Sequence, residues 1–205
     1  MDDRRIAVIY QEYVVAHDLE RSALLEALRA RCTGEATVLY PGAFVHVTPS
    51  FFFQHVVYVD RSDFSRDFFA RAQAVLDLVN QHKRYRQPPF IRFVQQDFAT
   101  ELPIRERAFD VLLALYAGGV SQTCARYLKP GGLLLTNDHH GDARDAALLP
   151  DLELQAVVEE RRGRVRFDEK DLQRYVPLGG SPRPRHRGEP RADYYLFRKL
   201  PRRGS

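Results

Sequence analysis

The stretch VLYPGAFVHVTPSFFFQHVVYVD, Val38 to Asp60, decides how the rest of the chain is read. It carries two short runs rich in β-branched and aromatic residues, one over Ala36 to Tyr40 and one over His55 to Asp60, each too short for a helix and each reading as a buried strand. Between them lies one glycine, Gly42, followed by the bulky Phe44 and His46 and bracketed by Pro41 and Pro49. A carboxylate, Asp60, ends the second run. Strands buried on both faces need helices to cover them, so the flanking sequence should alternate strand with helix.

It does. Upstream, Leu19, Ala23, Leu25 and Leu28 form a helical stripe, with Asp18 as N-cap and Gly34 as the stop. Downstream, Ser62 caps one long amphipathic helix marked by Phe64, Phe68, Ala72, Val75, Leu76 and Val79 and running to about Gln81. Pro88-Pro89 interrupts the chain before a third strand, Phe90 to Val94. A fourth spans Phe109 to Leu115, a short helix spans Val120 to Leu128, and a Lys129-Pro-Gly-Gly132 turn leads into a fifth strand, Leu133 to Thr136. After Pro150 come strand pieces over Leu152 to Glu159 and Val165 to Phe167, then a short helix from Asp168 to Tyr175. A Pro/Arg-rich linker and a last strand, Asp193 to Arg198, complete the chain. Late strands joined without a crossover helix pair antiparallel. The expected fold is α/β: a seven-stranded, mostly parallel sheet with an antiparallel last strand and helices on both faces.

The length, 205 residues, and an apolar fraction of 44% suit one domain: a helical lead-in over 1–34, a ligand-binding core over 36–138 and C-terminal strands over 150–205. No secretion signal and no run long enough to cross a bilayer is read, so a soluble cytoplasmic protein is expected. Cys32 and Cys124 are far apart in helix-like patterns, which argues against a disulfide framework and against zinc. The net charge of +4 is uneven: from Arg161 onward 14 Lys+Arg face 5 Asp+Glu, leaving 17 against 22 before it. The basic stretch SPRPRHRGEPR lacks aromatic interleaving, so a solvated loop is favoured over a nucleic-acid contact.

In order, VLYPGAF, HVVYVD, VQQDF, FDVLLALYAGG and LKPGGLLLTND resemble the successive landmarks of class I S-adenosylmethionine-dependent methyltransferases, over about Ala36 to Asp138. The resemblance implies a Rossmann-like methyltransferase fold and S-adenosyl-L-methionine as cofactor; the substrate expected is a small molecule. It places Asp60 at the ribose hydroxyls, Asp97 and Phe98 at the adenine, Gly42 in the first loop and Tyr116 at the end of the fourth strand. Tyr40 stands where that family has an acid, and Phe44 and His46 stand where it has glycines, so the Tyr40 hydroxyl and the Phe44 ring are expected to line a remodelled pocket. The absence of an Asn/Asp-Pro-Pro-aromatic motif at Tyr116-Ala-Gly-Gly119 lowers the case for methylation of bases or amides.

The segment Asn137-Asp138-His139-His140-Gly141-Asp142 follows the fifth strand, and there Asp138, His139 and His140 are the candidate general bases. The alternative is a polar loop with Asn137 or Asp138 capping the next helix; a metal site is disfavoured because adjacent side chains on an extended loop point apart. Two other readings stay open: a non-catalytic binding protein on this fold, and an RNA-directed methyltransferase using the basic C-terminal segment. Oligomeric state is not readable.

Overall fold

The computed structural model describes residues 3, 5–138, 140–175 and 192–201; His139 and the Pro/Arg-rich stretch over 181–191 lie outside the described residues. The chain divides into two compact units, Met1–Leu102 and Pro103–Ser205.

In the first unit, helix α1 (Arg5–Tyr10) runs directly into a π-helical turn, Gln11–Val15, closed by the Ala16 amide donating to the Gln11 carbonyl at 2.8 Å. Helix α2 (Ser22–Ala30) buries Leu24, Leu25 and Leu28 as the stripe requires, but it begins later than expected. Asp18 and Arg21 both adopt positive φ (54° and 53°), so the chain turns twice before the helix starts and Asp18 is not its cap. Strands β1 (Thr37–Pro41), β2 (His55–Asp60) and β3 (Phe90–Gln95) form a parallel set in the order β3-β2-β1, with Val38 opposite Val56 and Val56 opposite Ile91. A short helix, α3 (Pro49–Phe52), fills part of the β1–β2 connection and buries Phe51 and Phe52.

The single long helix expected after Ser62 is two, α4 (Asp63–Phe69) and α5 (Ala72–His82), with the break at Ala70–Arg71. Ser62 does cap α4, its hydroxyl accepting from the Ser65 amide at 3.0 Å. The break has a packing cause. Phe69 is drawn between Tyr58 and Phe93, with ring centroids 5.0 and 4.7 Å away, while Ala72, on the expected stripe, is exposed.

In the second unit, β4 (Phe109–Ala114) pairs parallel with β5 (Leu128–Thr136). The Lys129-Pro-Gly-Gly132 segment is not a turn before β5 but a bulge inside it: the register passes from Phe109 opposite Leu128 to Val111 opposite Leu133. Gly132 is required there, because a Cβ would stand 2.9 Å from the Lys129 carbonyl and 3.2 Å from that of Asp110. The expected helix over 120–128 is α6 (Val120–Cys124) followed by a 3₁₀ turn, Ala125–Tyr127, and α7 spans Asp142–Leu148. Strands β6 (Leu152–Arg161) and β7 (Arg164–Asp168) make an antiparallel hairpin, and β8 (Tyr194–Lys199) lies antiparallel between β5 and β6. The antiparallel last strand is therefore where the sequence places it. Eight strands are described, one more than expected, because both arms of the β6–β7 hairpin are full strands. The helix expected over 168–175 shrinks to one 3₁₀ turn, Leu172–Arg174, behind Asp171 at φ 50°. Among the described residues no helix is long and apolar enough to cross a membrane.

Candidate functional site

At the carboxyl ends of β2 and β3 a pocket of about 300 Å³ is lined by Gly42, Asp60, Arg61, Ser62, Gln96, Asp97 and Phe98. Strand ends are where an α/β sheet offers a crevice to ligands. Gly42, at φ 66°, turns the chain out of β1, and its amide donates to the Val59 carbonyl at 2.8 Å, which brings the start of the loop against the last residues of β2. Asp60 holds this corner. Its Oδ2 accepts from the Phe44 amide at 2.9 Å and its Oδ1 from the Ser62 amide at 2.8 Å. A carboxylate has about four acceptor positions, so two remain beyond these bonds. Asp97 turns its own loop by accepting from the Ala99 amide at 2.9 Å and meets Arg61 at 3.3 Å in an exposed ion pair, a class of contact worth little to stability.

The loop between Pro41 and Pro49 is packed, not bare. Tyr40 is only 2% exposed and His46 7%, and the Tyr40 hydroxyl meets His46 Nδ1 at 2.9 Å. His46 Nε2 faces the Glu20 carbonyl at 3.3 Å; a carbonyl can only accept, so the proton sits on Nε2 and the Tyr40 hydroxyl donates to Nδ1. Burial lowers the pKa of His46 to about 4, against the partial support of the Glu20 carbonyl. The expectation that the Tyr40 hydroxyl lines the pocket is corrected: its side chain points inward and its hydroxyl is occupied by His46. Phe44 sits in the left-handed region at φ 49°, 37% exposed, with its ring stacked on Phe64 at 5.5 Å and edge-on to Tyr13 at 5.6 Å. It borders the pocket through its amide, and its ring is not among the lining groups. Of the other aromatic residues in this unit, Phe51, Phe52, Phe53 and Tyr10 are core, while Tyr13 stays 37% exposed.

The second unit carries the other predicted residues. Tyr116, just past β4, adopts φ 64° and donates its amide to Asn137 Oδ1 at 3.3 Å. The Asp138 side chain, 11% exposed, faces Arg144 Nε at 4.0 Å. His140 is exposed on the turn before α7, where a Cβ on Gly118 would come within 2.7 Å of its own Cβ. Neither Asn137 nor Asp138 caps α7; the N-cap is Gly141, at φ 81° and with no side-chain bond. Asp142 points inward, 1% exposed: Oδ1 accepts from the Ser121 amide at 2.9 Å and its hydroxyl at 3.0 Å, and Oδ2 lies 3.0 Å from the Thr136 hydroxyl. It thus caps α6 from the first residue of α7, and burial pushes its carboxyl pKa up. Among the described residues no three His, Cys, Asp or Glu side chains are placed to hold a metal ion.

The structure therefore gathers Gly42, Asp60, Asp97 and Phe98 round one pocket, and it adds Arg61, Ser62 and Gln96, whose only signal in the sequence is adjacency to the two acids.

No family model matches the chain, and no curated protein matches it in sequence. Solved structures do match its fold. A Corynebacterium glutamicum protein aligns over 100% of this chain and 93% of its own, with 12% identity and a TM-score of 0.54. An S-adenosylmethionine-dependent methyltransferase from Thermotoga maritima, described as a possible histamine N-methyltransferase, aligns over 96% of each chain with 12% identity and a TM-score of 0.50. This chain spans only 45% to 63% of the length of three other matched structures. At such identities the likeness is one of architecture: the chain has a Rossmann-like methyltransferase fold.

Proposed function

We propose that the chain binds S-adenosyl-L-methionine by its nucleoside end and directs its methyl group to a small-molecule acceptor. The observation that carries this reading is Asp60: a carboxylate at a strand end, on a pocket also lined by Asp97 and Phe98, with two acceptor positions left for a ribose diol. Asp97 and the Phe98 ring suit an adenine, one by accepting from its amine and one by covering its face. The cofactor supplies an electrophilic methyl carbon. What the chain supplies is position; separately, the second unit carries Asp138 and the exposed imidazole of His140, groups whose chemistry suits a general base.

A second reading is favoured by a specific feature. The amides of Gly42 and Ala43 donate to Val59 and that of Phe44 donates to Asp60, so this loop keeps its N–H groups for the protein instead of offering them to a ligand's amino-acid end. That suits a protein that binds the nucleoside part without turning it over. Calorimetry with S-adenosylmethionine, its demethylated product and adenosine tests both. Asp60→Ala, checked for fold by circular dichroism, should weaken binding of all three by tenfold or more, the scale of lost bonds to a charged group, about 1.5–3 kcal/mol. Unchanged affinity in that variant, or no binding by the wild type, removes the proposal. Equal affinity for adenosine and the full cofactor selects the second reading.

A further inference from the structure

Beyond the strand-end pocket, the tip of the β6–β7 hairpin breaks two local rules in four residues. Arg161 and Arg164 are directly opposed in the ladder, a like-charge cross-strand pair, which weakens a hairpin. The two residues that join them, Arg162 and Gly163, both have positive φ (51° and 72°), the mark of a type I′ turn. Asn, Asp or Gly is favoured at the first of these positions; a long side chain there is strained. All three arginines are exposed and line one shallow, open cleft. Arg161 has a loose ion pair with Glu159 at 3.7 Å, whereas neither Arg162 nor Arg164 has an ion-pair partner among the described residues. Sequence that disfavours its own fold at one exposed place, and there concentrates a single sign of charge, points to a partner of opposite charge.

We infer that this hairpin tip is a contact for the phosphate backbone of a nucleic acid. Guanidinium forks match phosphate oxygens, and the open cleft, with no buried donor to enclose a lone anion, suits a chain of phosphates. No aromatic side chain is interleaved between the arginines, so the contact positions a backbone and does not read bases. The chain's positive charge is concentrated from Arg161 onward, which gives the same unit a long-range pull on a polyanion.

The test is fluorescence anisotropy with a labelled single-stranded RNA of mixed sequence, titrated between 50 and 200 mM KCl, on the full chain and on the double variant Arg162→Asn/Arg164→Gln. Three phosphate contacts contribute about −2 to the slope of log affinity against log salt, a loss of roughly 20-fold across that range; removing two of them should make the slope shallower by about 1.4. Because Asn suits the turn and the opposed charges are gone, the same variant should melt at an equal or higher temperature, so lost binding is not lost fold. Identical slopes for both proteins, or no binding by the wild type, overturn the inference. So does displacement of the RNA by millimolar pyrophosphate with only one phosphate's salt dependence, which marks a small-anion site, or binding to vesicles containing phosphatidylserine without binding to RNA.

Discussion

Because burial holds His46 neutral to about pH 4, the folded protein should lose stability in mild acid, and by a calculable amount. An unfolded chain protonates its histidines near pH 6.5. The sign follows from proton uptake: below pH 6.5 the unfolded state binds a proton that the folded state refuses, so stability falls as pH drops, down to the folded value near 4. Between pH 7 and pH 5 that single difference amounts to about 2 kcal/mol. The perturbation is His46→Asn, which keeps a polar group facing Tyr40 but does not titrate. Urea unfolding of both proteins at pH 7, 6 and 5, followed by far-UV circular dichroism, gives the two stabilities. Whatever the substitution costs at pH 7, that cost should shrink by about 2 kcal/mol at pH 5, because only the wild type suffers the protonation penalty; other titrating groups cancel in the difference. A difference that stays constant with pH would refute the buried neutral imidazole and the tautomer assigned to it.

Asp142 should behave in the opposite sense: with its folded pKa raised, its ionised form is disfavoured by the fold, and stability drops as pH rises from the ordinary carboxylate range. Asp142→Asn should therefore stay within about 1 kcal/mol of the wild type at pH 7, whereas Asp142→Ala, which orphans the buried Ser121 amide, should cost about 1–3 kcal/mol and lower Tm by several degrees in thermal melts. Gly118→Ala should displace the turn bearing His140, since its new methyl would meet the His140 Cβ at 2.7 Å, and should cost about 1–3 kcal/mol by chemical denaturation. Gly132→Ala should be at least as damaging, because the obstacles are the Lys129 and Asp110 backbone carbonyls; a neutral result in the same assay would contradict the bulge geometry.

Where the sequence was legible, the controlling physics was local. Ser62 reads as a cap because the bond it makes reaches only to the Ser65 amide, and Asp60 reads as a strand-end acid because an apolar run stops there. The late antiparallel strand follows from a connection without a crossover helix. Some misreadings are local, as where Asp18, Arg21 and Asp171 take positive φ and delay or shorten a helix; three others depend on distant partners. Nothing in Ser62 to Gln81 announces that Phe69 stacks on Phe93 of another strand and divides the helix. Tyr40 looks like a pocket residue until His46 and the Glu20 carbonyl are seen to draw it inward. Asp142 looks like one more polar loop residue, yet its partner is the first turn of a helix 21 positions earlier.

The packed loop after β1 bears on how this protein could change. Ala43, Val45, Val47, Thr48 and Ser50 are as deeply buried as the strand residues beside them. A glycine-rich connection elsewhere can drift in sequence at little cost to folding, because bare backbone has no side-chain neighbours to disappoint. Here each replacement would be screened by the interior before any ligand met it. A library randomised over residues 43–48 would return mostly unfolded clones, and variants that widen the loop would survive only in a background already stabilised elsewhere.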